Sequence, residues 1–181
     1  MTRFGYVMTT YFAMLGVGVL TFFHPAPWLI WNATASTPTG LYALHPPSKL
    51  HALELVAVRP PEPIASYLAD GGFLPKGVPL LKHVMALPGQ VVCRSGAAIT
   101  VDNVDVGVAR DRDHLGRPLP RWSGCHTLQP REVFLMNPTV PDSLDGRYFG
   151  PLPITSIVAR AVPLWTDEAG DGRFVWRAAT D

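Results

Sequence analysis

Apolar and polar positions divide the chain sharply at its N-terminal end. From Phe4 to Phe23 the sequence FGYVMTTYFAMLGVGVLTFF carries 20 consecutive residues without a charge. As a helix rising about 1.5 Å per residue, such a run extends about 30 Å, one hydrocarbon core. Aromatic residues gather at both ends: Phe4 and Tyr6 first, then Phe22, Phe23, Trp28 and Trp31. Side chains of this kind belong at a bilayer interface. Arg3 is the only charge ahead of the run, which favours a cytoplasmic N-terminus. The pattern predicts a membrane anchor over residues 1–24. A cleaved secretory signal and a buried core helix compete with it, but the run is longer than a usual signal core, and prolines and tryptophans follow. Either an anchor or a signal places residues 25–181 outside the cytoplasm.

Beyond the Pro-rich link HPAPWLIW the pattern changes to short apolar runs broken by turns. HALELVAV (residues 51–58) predicts a strand, and VPLLKHVMAL (78–87) predicts a buried strand with one charge in it, ending at Pro88-Gly89. QVVC, AAITVDNVDV and EVFLMN predict further strands, with Asp102-Asn103 at a hairpin tip. SIVARAVPLW predicts a late strand returning to the sheet. Ile64 to Ala69 suits one helical turn inside a loop. DRDHLGRPLPRW (111–122) predicts an exposed excursion, and the polar tail after Trp165 a loose end. The fold class expected is mainly β: one domain over residues 25–181 behind a single transmembrane helix.

Composition supports the β reading, because 19 prolines spread along 181 residues break helices. The net charge of +1 gives no footprint for nucleic acid. Two cysteines, Cys93 and Cys125, are an even count in an exported domain and predict one disulfide, against the alternative of two separate thiols. No CxxC or HExxH spacing is present, so neither a metal nor a cofactor is expected.

The candidate chemistry is narrow. There is no GxSxG elbow and no serine with lysine three residues on. Of three lysines, Lys49 and Lys76 stand in loop-like sequence, whereas Lys82 lies inside the most apolar strand. A buried ammonium is costly unless paired, and burial lowers its pKa until the amine can serve as a general base. The competing reading puts Lys82 on the solvent face of an edge strand. Ser36, in ATASTPTG, fits a presented nucleophile or a plain linker equally. NPTVPDSLDGRYFGPLP (137–153) packs Asp142, Ser143, Asp145 and Arg147 beside two aromatics, either an organised polar cluster or a capped turn with a surface ion pair.

Together these segments resemble the type I signal peptidase superfamily, most closely its TraF-type branch, the conjugative transfer signal peptidases. NATASTPTGLY (32–42) resembles that branch's nucleophile box and GVPLLKHVMALPGQVVC its lysine box. LPRWSGC matches the segment supplying the second cysteine, NPTVPDSLDGRYFGPLP the last box, and ARAVPLW the usual ending. The resemblance implies a signal-peptidase-like β domain, with Ser36 as nucleophile and Lys82 as general base. It implies that Asp145 is the third important residue, that Ser143 orients the lysine and that Arg147 pairs with Asp145. Thr34 would supply an oxyanion hydroxyl. His83 follows the lysine where arginine is common, and Thr37 replaces the methionine that follows the serine in general secretory enzymes.

The implied activity is a serine endopeptidase in the bacterial inner membrane, its catalytic domain in the periplasm. Its implied substrate is a pilin precursor, cut and in some cases cyclised during assembly of a conjugative transfer system, where other proteins of that system are potential partners. A general signal peptidase and a non-catalytic anchored scaffold domain are the alternatives.

Overall fold

The computed structural model describes residues 2–22 and 27–177, with the backbone alone for 20–22. Phe23 and His24, at the end of the expected anchor, Pro25 and Ala26 of the link, and the last four residues of the tail lie outside the described residues. Helix α1 (Arg3–Phe22) takes up the uncharged N-terminal run, and its large apolar side chains, Phe4, Val7, Phe12 and Met14 among them, are exposed. Among the described residues, no helix is long and apolar enough to cross a membrane, so the expected span is not established by the fold.

The rest of the chain is β-rich. In chain order it forms β1 (Leu29–Asn32), β2 (Thr39–His45), β3 (Leu55–Val58), helix α2 (Ile64–Asp70), β4 (Leu80–Ala86), β5 (Val91–Ser95), β6 (Ala98–Val101), β7 (Val104–Val108) and β8 (Gly124–Thr127). There follow β9 (Glu132–Met136), the short helix α3 (Gly146–Phe149), β10 (Leu152–Pro153), a 3-10 turn (Ile154–Ser156), β11 (Ile157–Asp167) and β12 (Val175–Trp176).

An eight-stranded sheet runs β1-β2-β11-β3-β4-β9-β10, with β12 added on β11. A four-stranded sheet, β7-β6-β5-β8, stands beside it. Every pairing is antiparallel, and the late strand β11 bonds both β2 and β3. All four residues of β3 are buried, alternating between two cores. Val56 and Val58 pack with Val84, Leu135 and Ile157, while Leu55 and Ala57 pack with Tyr42, Leu81 and Ala159. A third core joins the small sheet to the large one through Val92, Ile99, Leu128, Phe134 and Tyr148.

Several expectations are sharpened or corrected. The stretch from Trp28 onward is no spacer: Leu29–Asn32 pairs with Gly40–Ala43, and Ser36 rides the turn between the two strands. HALELVAV yields a strand only over Leu55–Val58. Lys82 is not on a solvent face: β4 is an interior strand between β3 and β9, and Lys82 is 3% exposed. Within the described residues the tail is not loose throughout: it forms β12, which pairs with Trp165 and Thr166. Asp102 and Asn103 form the β6–β7 hairpin tip with φ of 48° and 66°, the left-handed turn their short polar side chains tolerate. Cys93 and Cys125, directly opposed on β5 and β8, form a disulfide.

Candidate active site

The turn from Ala33 to Pro38 is held from inside by amides and a phenol. Asn32 is buried at the end of β1. Its Nδ2 donates to the carbonyls of Thr34 (2.9 Å), Thr37 (3.0 Å) and Pro38 (3.1 Å), while its Oδ1 accepts from the Thr34 N–H at 3.1 Å. Tyr42, its hydroxyl pushed up to about 12 by burial, donates to the Pro38 carbonyl at 2.6 Å. The turn closes against Gly40. Its φ is 141°, and a Cβ at that position would collide with the Trp165 carbonyl, so no other residue fits there. Ser36 is left half-buried at the tip. Its Oγ lies 3.2 Å from Thr34 Oγ1, and Thr34 Oγ1 donates to Asn32 Oδ1 at 2.8 Å.

Lys82 approaches from β4. Its Nζ donates to Ser143 Oγ at 2.6 Å in a buried setting. Desolvation lowers its pKa from 10.5 to about 8; the nearby Asp145 carboxylate opposes that shift and the Arg147 guanidinium adds to it. No hydrogen bond joins Ser36 to Lys82. The two line one cleft of about 580 Å³, together with Thr34, Ser143, Phe73 and Leu144. A flat sheet would hold β2 and β4 three strand spacings apart, roughly 14 Å at about 4.8 Å each. The turn nevertheless reaches β4: the Asn137 side chain bonds both the Ser36 carbonyl (2.6 Å) and the Leu81 carbonyl (3.0 Å).

The loop bearing Ser143 is built around one guanidinium. Arg147 forms a two-pronged pair with Asp145, Nε to Oδ1 at 2.9 Å and Nη2 to Oδ2 at 2.8 Å, with both side chains at most 2% exposed. Its Nη2 also donates to the carbonyls of Val140, Ser143 and Asn137. The surface ion pair weighed from the sequence is thus a buried one. Asp145 additionally caps α3 by accepting from the Arg147 N–H at 3.1 Å. A hydroxyl on a half-exposed turn and a buried amine of lowered pKa, opening on one groove with apolar walls, suit acyl transfer from an extended peptide.

The structure therefore brings Ser36, Thr34, Lys82, Ser143, Asp145 and Arg147 into one neighbourhood and leaves Cys93 and Cys125 away from the cleft. Sequence reasoning gave no role to Asn32, Asn137 or His83. Asn32 and Asn137 each stand at the end of a strand and are buried, where an amide must find partners. That burial is the signal that marks them, and no motif spacing carries it.

Comparison with known proteins adds an independent line. A family model described as signal peptidase, peptidase S26, matches residues 1–165. The plasmid transfer protein TraF of Escherichia coli is 32% identical over 142 residues, covering 76% of this chain and 76% of that protein. A probable conjugal transfer protein TraF of Sinorhizobium fredii (strain NBRC 101917 / NGR234) is 33% identical over 146 residues, covering 75% and 76%. A solved signal peptidase I from Enterococcus faecalis V583 is similar at 16% identity and a TM-score of 0.38, over 62% of this chain and 97% of that one.

Proposed function

Because this chain belongs to the signal peptidase family, peptidase S26, we propose that it is a membrane-anchored serine endopeptidase that processes a pilin precursor for a conjugative transfer system. One observation carries this reading: Ser36 and a buried lysine of lowered pKa open on the same cleft. The names of the relatives, plasmid and conjugal transfer proteins, support the conjugative setting. The exposed apolar side chains of α1 and the disulfide support an anchored, exported domain in the periplasm.

In the proposed mechanism neutral Lys82, oriented by Ser143, accepts the Ser36 proton as Oγ attacks the scissile carbonyl. The proton passes to the leaving amine, and an acyl-enzyme remains on Ser36. The Ser36 N–H and the Thr34 hydroxyl stabilise the oxyanion. Losing one such donor typically costs ~100–1000-fold in rate. One bond must rearrange first: the Thr34 hydrogen now points to Asn32 and has to turn to the oxyanion. Lys82 keeps its N–H bond to Ser143 and offers its lone pair to Ser36, once a bound peptide draws the turn onto the lysine. Water then releases a linear product, or the precursor's own amino terminus releases a cyclic one.

A scaffold domain without catalysis would have no reason to gather Ser36 and Lys82 in one cleft. The test is mass spectrometry of the pilin in cells carrying Ser36→Ala or Lys82→Ala. Unprocessed precursor is expected in both, and normal maturation in either overturns the dyad. A mature wild-type product heavier by one water than the cyclic form identifies hydrolysis.

A further inference from the structure

Asn137 follows β9 directly. Extending the β4–β9 register (His83 against Met136, Val84 against Leu135) by one pair sets Asn137 opposite Lys82. Asn137 is 1% exposed, and all its polar groups are engaged. Its main-chain N–H donates to Asp145 Oδ2 at 3.0 Å, and its carbonyl accepts from Arg147. Its side-chain Nδ2 donates to the Ser36 carbonyl at 2.6 Å and to the Leu81 carbonyl at 3.0 Å. Its Oδ1 lies 3.0 Å from His83 Nδ1. Carbonyls only accept, so Nδ2 must face them and Oδ1 must face the histidine. An amide oxygen only accepts as well, so His83 carries a proton on Nδ1. Pro138 comes next and has no N–H to offer across the ladder.

We propose that Asn137 and His83 form a strap that sets Ser36 against Lys82, Asn137 positioning the nucleophile turn and His83 fixing the orientation of the Asn137 amide. The proposal rests on the serine–lysine reading given above. Neither side chain touches Ser36 Oγ, so the pair moves no proton and acts through geometry. The one amide bonds both the residue that carries the hydroxyl and the residue preceding the lysine. Without it the turn is tied only to β1, β2 and its own side chains, while Lys82 keeps its bond to Ser143. Substrate walls such as Phe73 and Leu144 are untouched, so the deficit belongs in kcat. A misplacement of about 1 Å costs on the order of 100-fold in rate.

The experiment measures kcat and KM of the full chain in detergent on a fluorogenic peptide with alanines beside the scissile bond, with Ser36→Ala as the zero. Asn137→Ala should lower kcat roughly 10–100-fold with KM within about threefold. Asn137→Asp keeps the shape but turns oxygen on two carbonyls, and should be at least as slow. His83→Leu should lower kcat about tenfold. His83→Asn, which restores a donor near the Nδ1 position, should recover activity to within about threefold of wild type. Wild-type kcat in Asn137→Asp or in His83→Leu, or equal losses in His83→Leu and His83→Asn, overturns the strap. Amide hydrogen exchange over residues 33–38 gives a readout free of catalysis. Faster exchange there in His83→Leu but not in His83→Asn is expected, and unchanged exchange in both overturns the strap. If no wild-type cleavage depends on Ser36, the peptidase reading fails by itself, and the exchange result alone decides the strap.

Discussion

Lys82 is the side chain whose environment matters most. Burial holds its pKa near 8, below the ordinary 10.5. Between those two values the unfolded chain binds a proton that the folded chain does not, so stability rises with pH across that window and the lysine is a net cost at neutral pH. Lys82→Met should therefore be inactive yet as stable as wild type, or about 1–3 kcal/mol more stable, at pH 7. Urea melts at pH 7 and pH 10 should show the wild-type gain with pH and its absence in the variant. The same group should give cleavage an acid limb: kcat/KM falling about tenfold per unit below an apparent pKa of about 8. Initial rates from pH 5 to 9 test this, and a flat profile down to pH 5 counts against a neutral-lysine base. Arg147 behaves in the opposite way. Removing it strands the buried Asp145 carboxylate and frees the three loop carbonyls that converge on it, of Asn137, Val140 and Ser143. Arg147→Leu should accordingly lose about 3–5 kcal/mol in denaturant unfolding.

Among the elements, the turn between β1 and β2 is the one on which Ser36 depends. Gly40→Ala meets both a left-handed φ and the Trp165 carbonyl, so it should shift the β2–β11 register, lower stability by about 2–4 kcal/mol and abolish cleavage. A thermal melt and the peptide assay together check it. Much of the architecture was legible: β4, β5, the β6–β7 hairpin, β9 and β11 coincide with apolar runs bounded by Gly, Pro or Asn. β1 and β2 were not, because small polar residues around Ser36 interrupt the alternation that marks a strand. The identity of the candidate site residues was legible from short boxes, but their meeting was not. It runs through Asn137, an amide whose partners lie 56 and 101 residues away in sequence. The burial of Asp145 and Arg147 was equally hidden, since a polar loop reads as surface until its carbonyls are seen to converge on one guanidinium.

At the scale of the whole molecule the disulfide closes a span of 32 residues that includes the exposed excursion. Its reduction should lower stability by roughly 3–4 kcal/mol in the chain-entropy model. That corresponds to a Tm lower by about 10 °C for a chain of this size, which calorimetry with and without reductant will show. The order of the large sheet has a different consequence. β11, made late, lies between β2, which leads to Ser36, and β3, which borders the lysine strand. In the large sheet, the ladder that carries the hydroxyl and the one that carries the amine are joined only through residues 157–167. The scaffold beneath the cleft is thus closed by the last long strand to be made, and the order of synthesis itself sets when the two halves of the site come to share one sheet.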